Sequence, residues 1–181
     1  MGKLVIISGP SGSGKTTVCK LLEKDQHVKK SVSVTTRPPR HNEKHGEYYY
    51  FVSTPEFEEM IQRNELAEYA IYCGYYYGTP IKALKETLRN EILYLLEIEV
   101  QGAIQIKEKF PEAISIFLLP PDKKTLGHRL IQRNTNKEED MALRLISAEK
   151  ELEYKDKYDY RVVNDDLEVT VNTIRKILNL V

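Results

Sequence analysis

The feature that most constrains this chain lies near its start. Leu4-Val5-Ile6-Ile7 is an unbroken apolar run, and Gly9-Pro10-Ser11-Gly12-Ser13-Gly14-Lys15-Thr16 follows almost at once. An apolar run without alternation reads as a strand buried on both faces, the parallel-sheet kind. Helical spacing then appears at Val18, Leu21 and Leu22. Strand, loop and helix together satisfy G-x-x-x-x-G-K-[ST] in the context that gives that pattern meaning. The glycines allow backbone angles that let successive N–H groups turn inward around a phosphate. The helix N-terminus adds its partial positive charge. Lys15 supplies a point charge for the β- and γ-phosphates, and the Thr16 hydroxyl a ligand for Mg²⁺. The motif implies a bound nucleoside triphosphate, but alone it does not choose among kinase, ATPase and GTPase.

The rest of the chain alternates in a way that extends this unit. A strand is expected around Ser31–Val34, a polar and basic loop over 35–47, and a strand over Tyr48–Val52. Thr54-Pro55 reads as a helix start, with Thr as cap and Pro in the first turn. Leu66–Tyr72 and Tyr75–Tyr77 flank Gly74 as a hairpin. Thr79-Pro80 repeats the cap-plus-proline signal ahead of Ile81, Leu84 and Leu88. Ile92–Ile98 and Ile114–Leu119 read as further buried strands, separated by a helix over Gly102–Phe110. A polar helical region is expected over 122–156, interrupted near 134–137, then a short strand at Arg161–Val163 and a helix over Leu167–Leu180. Buried strands alternating with helices imply an α/β fold with a parallel core sheet flanked by helices. The Tyr-rich, loop-rich stretch 32–84 reads as an insertion with its own small sheet.

Charge narrows the function classes. Lys+Arg and Asp+Glu both number 27, so the formal net charge is zero. That argues against the basic footprint of a general nucleic-acid binder. The balance is uneven along the chain: residues 1–45 hold nine Lys/Arg and three Asp/Glu, a net of +6. No segment approaches eighteen consecutive apolar residues, which excludes a transmembrane helix from the expectation. Cys19 and Cys73 are too few and too far apart for a disulfide framework and read as packed or half-buried thiols. The four histidines show no ligand spacing. The N-terminus enters a strand with no signal-peptide pattern, so a cytoplasmic protein is expected.

Two further segments carry candidate chemistry. In Thr35-Thr36-Arg37-Pro38-Pro39-Arg40 two arginines stand three apart on a backbone stiffened by prolines. Such a pair suits a phosphate dianion, since each guanidinium can make paired hydrogen bonds; a solvated basic loop would look the same. The run from Glu68 to Thr79 combines a carboxylate with several phenols. A carboxylate can accept from the N1–H and N2–H₂ edge of guanine, a pair of donors that adenine lacks, although Glu68 taken alone reads first as a surface glutamate. In an alternating strand Tyr49 points opposite to Tyr48 and Tyr50, and some of these tyrosines read as core filling.

Taken in order, these residues resemble the guanylate kinase family, ATP-dependent GMP phosphotransferases of the P-loop class. The likeness runs from Lys3 to about Val181. It rests on Ile7 through Lys15, Ser33 with Thr35 through Arg40, Gly46 through Phe51, Gly74 with Tyr76 through Thr79, Glu97 through Gly102, and Val163 through Asp166. The resemblance implies a P-loop kinase fold with a parallel core sheet over about 1–31, 85–125 and 147–181. It adds a small mixed β GMP-binding insertion over about 32–84 and a helical lid over about 126–146. It implies ATP on Gly9, Pro10, Ser11, Gly12, Ser13, Gly14, Lys15, Thr16, Thr17 and Asn164. GMP would be held by Ser33, Arg37, Arg40, Tyr49, Glu68, Tyr77, Thr79 and Glu99, with Arg37, Arg40, Tyr49 and Tyr77 on its phosphate. Lys15, Arg37, Arg129, Arg133 and Arg144 would act on the moving phosphoryl, and Mg²⁺ would sit on Thr16, with Glu97 reaching it through water. The implied partners are ATP and GMP, in a monomer or homodimer without nucleic acid or membrane.

Three positions depart from the commonest family pattern. Glu97 and Glu99 stand where Asp is frequent, which moves each charge by about a methylene. Thr79 stands where Ser is also common. Asn134 follows Arg133 where Gly is usual, and Asn tolerates left-handed backbone better than most residues. Two other readings share many of these features. One is a kinase of another nucleoside monophosphate; the other is a guanylate-kinase-like peptide-binding module, which usually has a degraded phosphate loop.

Overall fold

Strand β1 (Leu4–Ser8) is buried along its whole length. The computed structural model describes residues 2–90, 92–122, 125–126 and 146–180. Within them β1 leads through the phosphate loop into helix α1 (Lys15–Leu22), then strand β2 (Val28–Lys30). Four strands follow with a helix among them: β3 (Ser33–Thr35), β4 (Tyr49–Phe51), helix α2 (Thr54–Gln62), β5 (Leu66–Tyr72) and β6 (Tyr75–Pro80). The chain returns through helix α3 (Ile81–Leu88), β7 (Leu93–Glu97), helix α4 (Val100–Lys109) and β8 (Ile114–Leu119). It ends in β9 (Tyr160–Val163) and helix α5 (Leu167–Ile177).

The strands form two sheets. The larger has the order β2-β7-β1-β8-β9, with every pair parallel. Its two faces carry separate apolar layers. Val5 and Ile7 pack with Val18 and Leu22 of α1 and Val171 and Ile174 of α5. Leu4 and Ile6 pack with Leu84 of α3 and Ala103 and Ile106 of α4. Burial of each such Ile or Leu contributes about 1.5–3 kcal/mol over exposure, so both faces must be apolar and the alternation disappears. β1 is the point from which connections pass to either side of the sheet, and ligands of open parallel sheets lodge at such a point, beyond the carboxyl ends of the strands.

The smaller sheet is mixed and runs β4-β3-β6-β5, with β3 parallel to β4 and the other pairs antiparallel. Val34, Phe57 and Leu66 form its own apolar layer under α2. Cys73 and Gly74 both take positive φ, at 49° and 80°, and close the β5–β6 hairpin in a two-residue turn.

Several local expectations are corrected. The strand expected around Ser31–Val34 is β3, at Ser33–Thr35, paired with β6 and β4, and a further strand before it, β2 at Val28–Lys30, pairs with β7 in the other sheet. The cap of α2 is Ser53 rather than Thr54; Ser53 accepts from the Glu56 N–H while Glu56 returns a bond to the Ser53 N–H. Thr79 caps nothing. Pro80 precedes α3 without a side-chain cap, and Thr79 remains in β6. Helix α4 begins at Val100, two residues before Gly102. Cys19 is fully buried, but Cys73 is exposed. The lid expectation over 126–146, with Arg129, Arg133, Asn134 and Arg144, lies almost wholly outside the described residues.

Candidate active site

The phosphate loop is built by what glycine lacks. Gly9, Gly12 and Gly14 all have positive φ. A Cβ on Gly9 would overlap the Leu118 carbonyl oxygen, and one on Gly14 would overlap the Asn164 amide. The loop is therefore wedged between β8 and the end of β9. Asn164, itself buried, donates from Nδ2 to the Ser13 carbonyl at 2.8 Å and from its backbone N–H to Leu119 O at 2.8 Å. Its side chain braces the back of the loop.

Lys15 is largely buried, and its ammonium donates to the loop's own carbonyls, Gly9 O and Pro10 O (3.2 Å to the latter). Glu99 Oε1 lies 3.9 Å from the same ammonium. The loop thus holds its lysine against its own backbone carbonyls.

Thr16 donates its hydroxyl to Glu97 Oε1, and Lys30 Nζ lies 2.9 Å from Glu97 Oε2. Burial alone would raise the Glu97 carboxyl, but Lys30 and the Thr16 hydroxyl outweigh it and hold the group below the usual carboxylate range. A hydroxyl and an ionised carboxylate side by side at the head of a phosphate-loop helix form a hard oxygen donor set, which fits Mg²⁺.

Across the cleft, β5 and β6 present the other wall. Glu68 is 3% exposed and accepts a hydrogen bond from the Thr79 hydroxyl at 2.6 Å. Its position depends on a bulge. The β5–β6 register shifts between Leu66 and Glu68, leaving Ala67 as the extra residue. Leu66 consequently packs with Val34 and Phe57, while Glu68, pairing with Thr79, faces the cleft. Burial lifts the Glu68 carboxyl to about 7, against partial relief from the Thr79 bond and the charge of Lys109.

Arg37 Nη2 donates to both oxygens of Glu43, each at 2.9 Å, and the Arg40 N–H donates to Glu43 Oε2 at 2.8 Å. The guanidinium also lies over the Tyr49 and Phe51 rings, and Tyr49 meets Tyr77 edge-on. Glu43 takes up the Nη2 donors of Arg37 with both of its oxygens. Burial pushes the Tyr49 phenol far up, so it remains a neutral donor.

Glu99 meets Glu151, which arrives on helical residues 146–152. Burial and the Glu99 charge raise the Glu151 carboxyl to about 8, and burial raises Glu99 as well despite the ammonium of Lys15. Burial and mutual repulsion both favour the protonated form of one carboxyl of the pair.

These groups surround one cavity of about 840 Å³. It brings together Ser11, Gly12, Gly14, Lys15, Thr16, Thr17, Glu97 and Glu99 from the core with Ser33, Arg37, Arg40, Tyr49, Glu68 and Tyr77 from the small sheet and its loops. Gly9, Pro10 and Ser13 shape the loop from behind, Thr79 acts through Glu68, and Asn164 stands behind Ser13. Sequence reasoning passes over Lys30 and Glu43, and it places Glu149–Glu153 on solvated helix surface, whereas Glu151 is buried. For Glu43 a signal existed: it is the one carboxylate between residues 26 and 46, in a basic loop. Lys30 and Glu151 reach the site from distant segments, and no local pattern marks them.

A phosphate loop at the end of the central strand of an all-parallel sheet, with its lysine and threonine heading α1, defines a P-loop kinase. The shikimate kinase of Bacteroides thetaiotaomicron shares this fold, with a TM-score of 0.53 at 16% identity over 98% of each chain. Nearer relatives narrow the class. The crystal structure of guanylate kinase from Anaplasma phagocytophilum matches with a TM-score of 0.84 at 35% identity, covering 99% of this chain and 85% of that one. Guanylate kinases of Prochlorococcus marinus (strain MIT 9312) and Desulfitobacterium hafniense (strain Y51) are 47% and 46% identical to it. Those matches cover 97% and 98% of this chain, and 96% and 89% of the relatives. The guanylate kinase family model matches residues 1–180, and the chain belongs to that family.

Proposed function

We propose that the protein transfers the γ-phosphoryl of ATP to GMP or dGMP, releasing ADP and GDP or dGDP. The observation that carries this reading is one cavity with two unlike walls. A phosphate loop with Lys15 lies on one, and the buried Glu68 held by Thr79 lies on the other. A carboxylate buried at the far wall is costly unless donors meet it, and the guanine N1–H and N2–H₂ edge supplies two.

In this reading Ser33, Glu68, Thr79 and Glu99 hold the base, while Arg37, Arg40, Tyr49 and Tyr77 hold the acceptor phosphate. The phosphate of GMP displaces Glu43 from Arg37. Lys15 leaves Gly9 O and Pro10 O for the triphosphate. Thr16 and Glu97 would hold Mg²⁺, which when bound neutralises charge on the β- and γ-phosphates. No general base is needed, because the attacking oxygen belongs to a phosphate already ionised at neutral pH. What the protein supplies is in-line placement and exclusion of water, without which ATP is hydrolysed. Arg129, Arg133 and Arg144 are assigned to a closing lid over the γ-phosphate, and Asn164 to the adenine side. The reading also carries a cytoplasmic enzyme of purine nucleotide metabolism, monomeric or homodimeric, acting on small molecules.

A coupled assay for ADP formation, run with AMP, GMP, UMP, CMP and dTMP as acceptors, tests it. GMP alone should give rapid turnover. Preference for another acceptor would overturn the base assignment, and the absence of any acceptor-dependent turnover would overturn the enzyme.

A further inference from the structure

Strand β5 is an edge strand of the small sheet, so one side of it carries N–H and C=O groups with no neighbouring strand. Helix α4 lies along that side and answers those groups with side chains. Gln105 donates from Nε2 to Tyr69 O at 2.7 Å and accepts from the Tyr69 N–H at 3.2 Å, the pair of bonds another strand would make. Lys109 Nζ donates to Ala67 O at 2.6 Å. Between these two anchored residues stands Glu68, and opposite its carboxyl stands Gly102. A Cβ on Gly102 would overlap Glu68 Oε2 and would come within 2.9 Å of Cδ.

Gly102, Gln105 and Lys109 stand at i, i+3 and i+7, one stripe on the helix. The stripe grips three consecutive residues, Ala67, Glu68 and Tyr69, at the bulge. The helix itself is fixed to the core, with Ala103 and Ile106 buried in the apolar layer behind β1 and β7.

We propose that this stripe of α4 sets the enzyme's selectivity for its base: Gln105 and Lys109 hold the bulged strand, and the missing side chain at Gly102 leaves the space that fixes the Glu68 carboxyl against Thr79. These are positioning residues; none of them touches the base in this scheme. The inference rests on the reading of Glu68 as the acceptor of guanine's donors.

The geometry separates this role from a structural one. The atom that an added methyl meets is the end of a flexible side chain, so Glu68 yields and the backbone stays. Alanine is also the better helix former. Gly102→Ala should therefore leave the fold intact while turning Glu68 away from Thr79 and from the base.

The test compares Gly102→Ala, Gln105→Ala and Glu68→Gln with the unaltered enzyme, using GMP and inosine monophosphate, which lacks the guanine amino group. Gly102→Ala should raise KM for GMP about tenfold or more, leave KM for ATP within about twofold, and reduce the GMP-to-inosine-monophosphate ratio of kcat/KM about tenfold. Its melting temperature should hold or rise. Gln105→Ala should shift the same ratio in the same direction by about threefold. If Glu68→Gln keeps the ratio, the reading of Glu68 itself fails. If Glu68→Gln collapses the ratio while Gly102→Ala and Gln105→Ala keep it, the positioning role fails alone. A Gly102→Ala protein that loses affinity for ATP and GMP alike also overturns the proposal. If Gly102→Ala does not fold, the ratio in Gln105→Ala, a half-buried residue whose side chain bonds only to backbone, decides.

Discussion

Lys30 Nζ stands 2.9 Å from one oxygen of Glu97 while the Thr16 hydroxyl donates to the other. The carboxylate is held at both ends, between the tip of β2 and the head of α1. Both side chains are mostly buried, at 19% and 11% exposure, and removing one partner of such a pair leaves a charge uncompensated, at a cost of about 3–5 kcal/mol. Lys30→Met should therefore lower the melting temperature by several degrees and raise KM for ATP, since a freed carboxylate faces the triphosphate. Calorimetry and steady-state kinetics check this. Lys30→Met with Glu97→Gln should recover most of the lost stability; a double variant as unstable as the single would show that the pair is not the cause.

Glu68→Gln replaces one carboxylate oxygen with a donor aimed at guanine's donors. kcat/KM for GMP should fall by about two orders of magnitude, while the ATP dependence stays near normal. An unchanged value removes Glu68 from the base site.

The same residue gives a pH signature with two opposite signs. The folded chain holds the Glu68 proton to about 7, against an ordinary 4.5. Its stabilising share is complete below 4.5 and disappears as pH rises through about 7. GMP binding needs the ionised form, so kcat/KM for GMP should climb over the window in which the free protein loses stability. Both trends should be smaller in Glu68→Gln, as followed by thermal melts and pH profiles. Identical profiles in the two proteins would place the titration elsewhere.

Lys15→Met removes the point charge of the phosphate loop along with its bonds to Gly9 O and Pro10 O. Turnover should disappear with the fold retained, as judged by circular dichroism. Residual activity near normal would overturn the assignment of the loop.

Asn164→Ala deletes the bond to the Ser13 carbonyl, which no solvent reaches behind a fully buried Ser13. An unsatisfied buried acceptor costs about 1–3 kcal/mol. The expected outcome is a lower melting temperature and a raised KM for ATP with KM for GMP little changed. An equal rise in both would show that Asn164 supports the whole cavity and not the loop alone.

What was legible in the chain was what neighbours in sequence determine. The buried run before Gly9 and the glycine spacing after it are local, and β1, the loop and α1 stand where that pattern puts them. The S-x-x-E capping box at Ser53 and Glu56 was equally local, but the adjacent Thr54-Pro55 offered a competing start, and two hydroxyls in a row concealed which one caps. Thr79-Pro80 shows the opposite case. Its local grammar is that of a helix cap, yet the Thr79 hydroxyl is taken by Glu68, eleven residues away across a hairpin. Strand β2 was hidden for a related reason. Val28-Lys29-Lys30 is short and has two lysines, a weak strand signal, and only its pairing with β7 makes it one, while β3 a few residues on belongs to the other sheet through β6. Glu151 and Lys30 belong to the site only because the fold carries them there.

The extra residue at Ala67 has a consequence for how this chain can change. In a regular strand, a gain or loss of one residue near the end is absorbed by the adjoining loop. Here the extra residue lets Leu66 and Glu68, two apart in the chain, sit opposite the adjacent Pro80 and Thr79 and so on opposite faces of the sheet. Deleting Ala67 would make them neighbours in a regular strand with the same partners, and Glu68 would still face the cleft. What a shortened chain gives up is the buried Ala67 and the carbonyl that receives Lys109, so a descendant that drops the residue keeps the carboxylate's side of the sheet and loses a tie to α4.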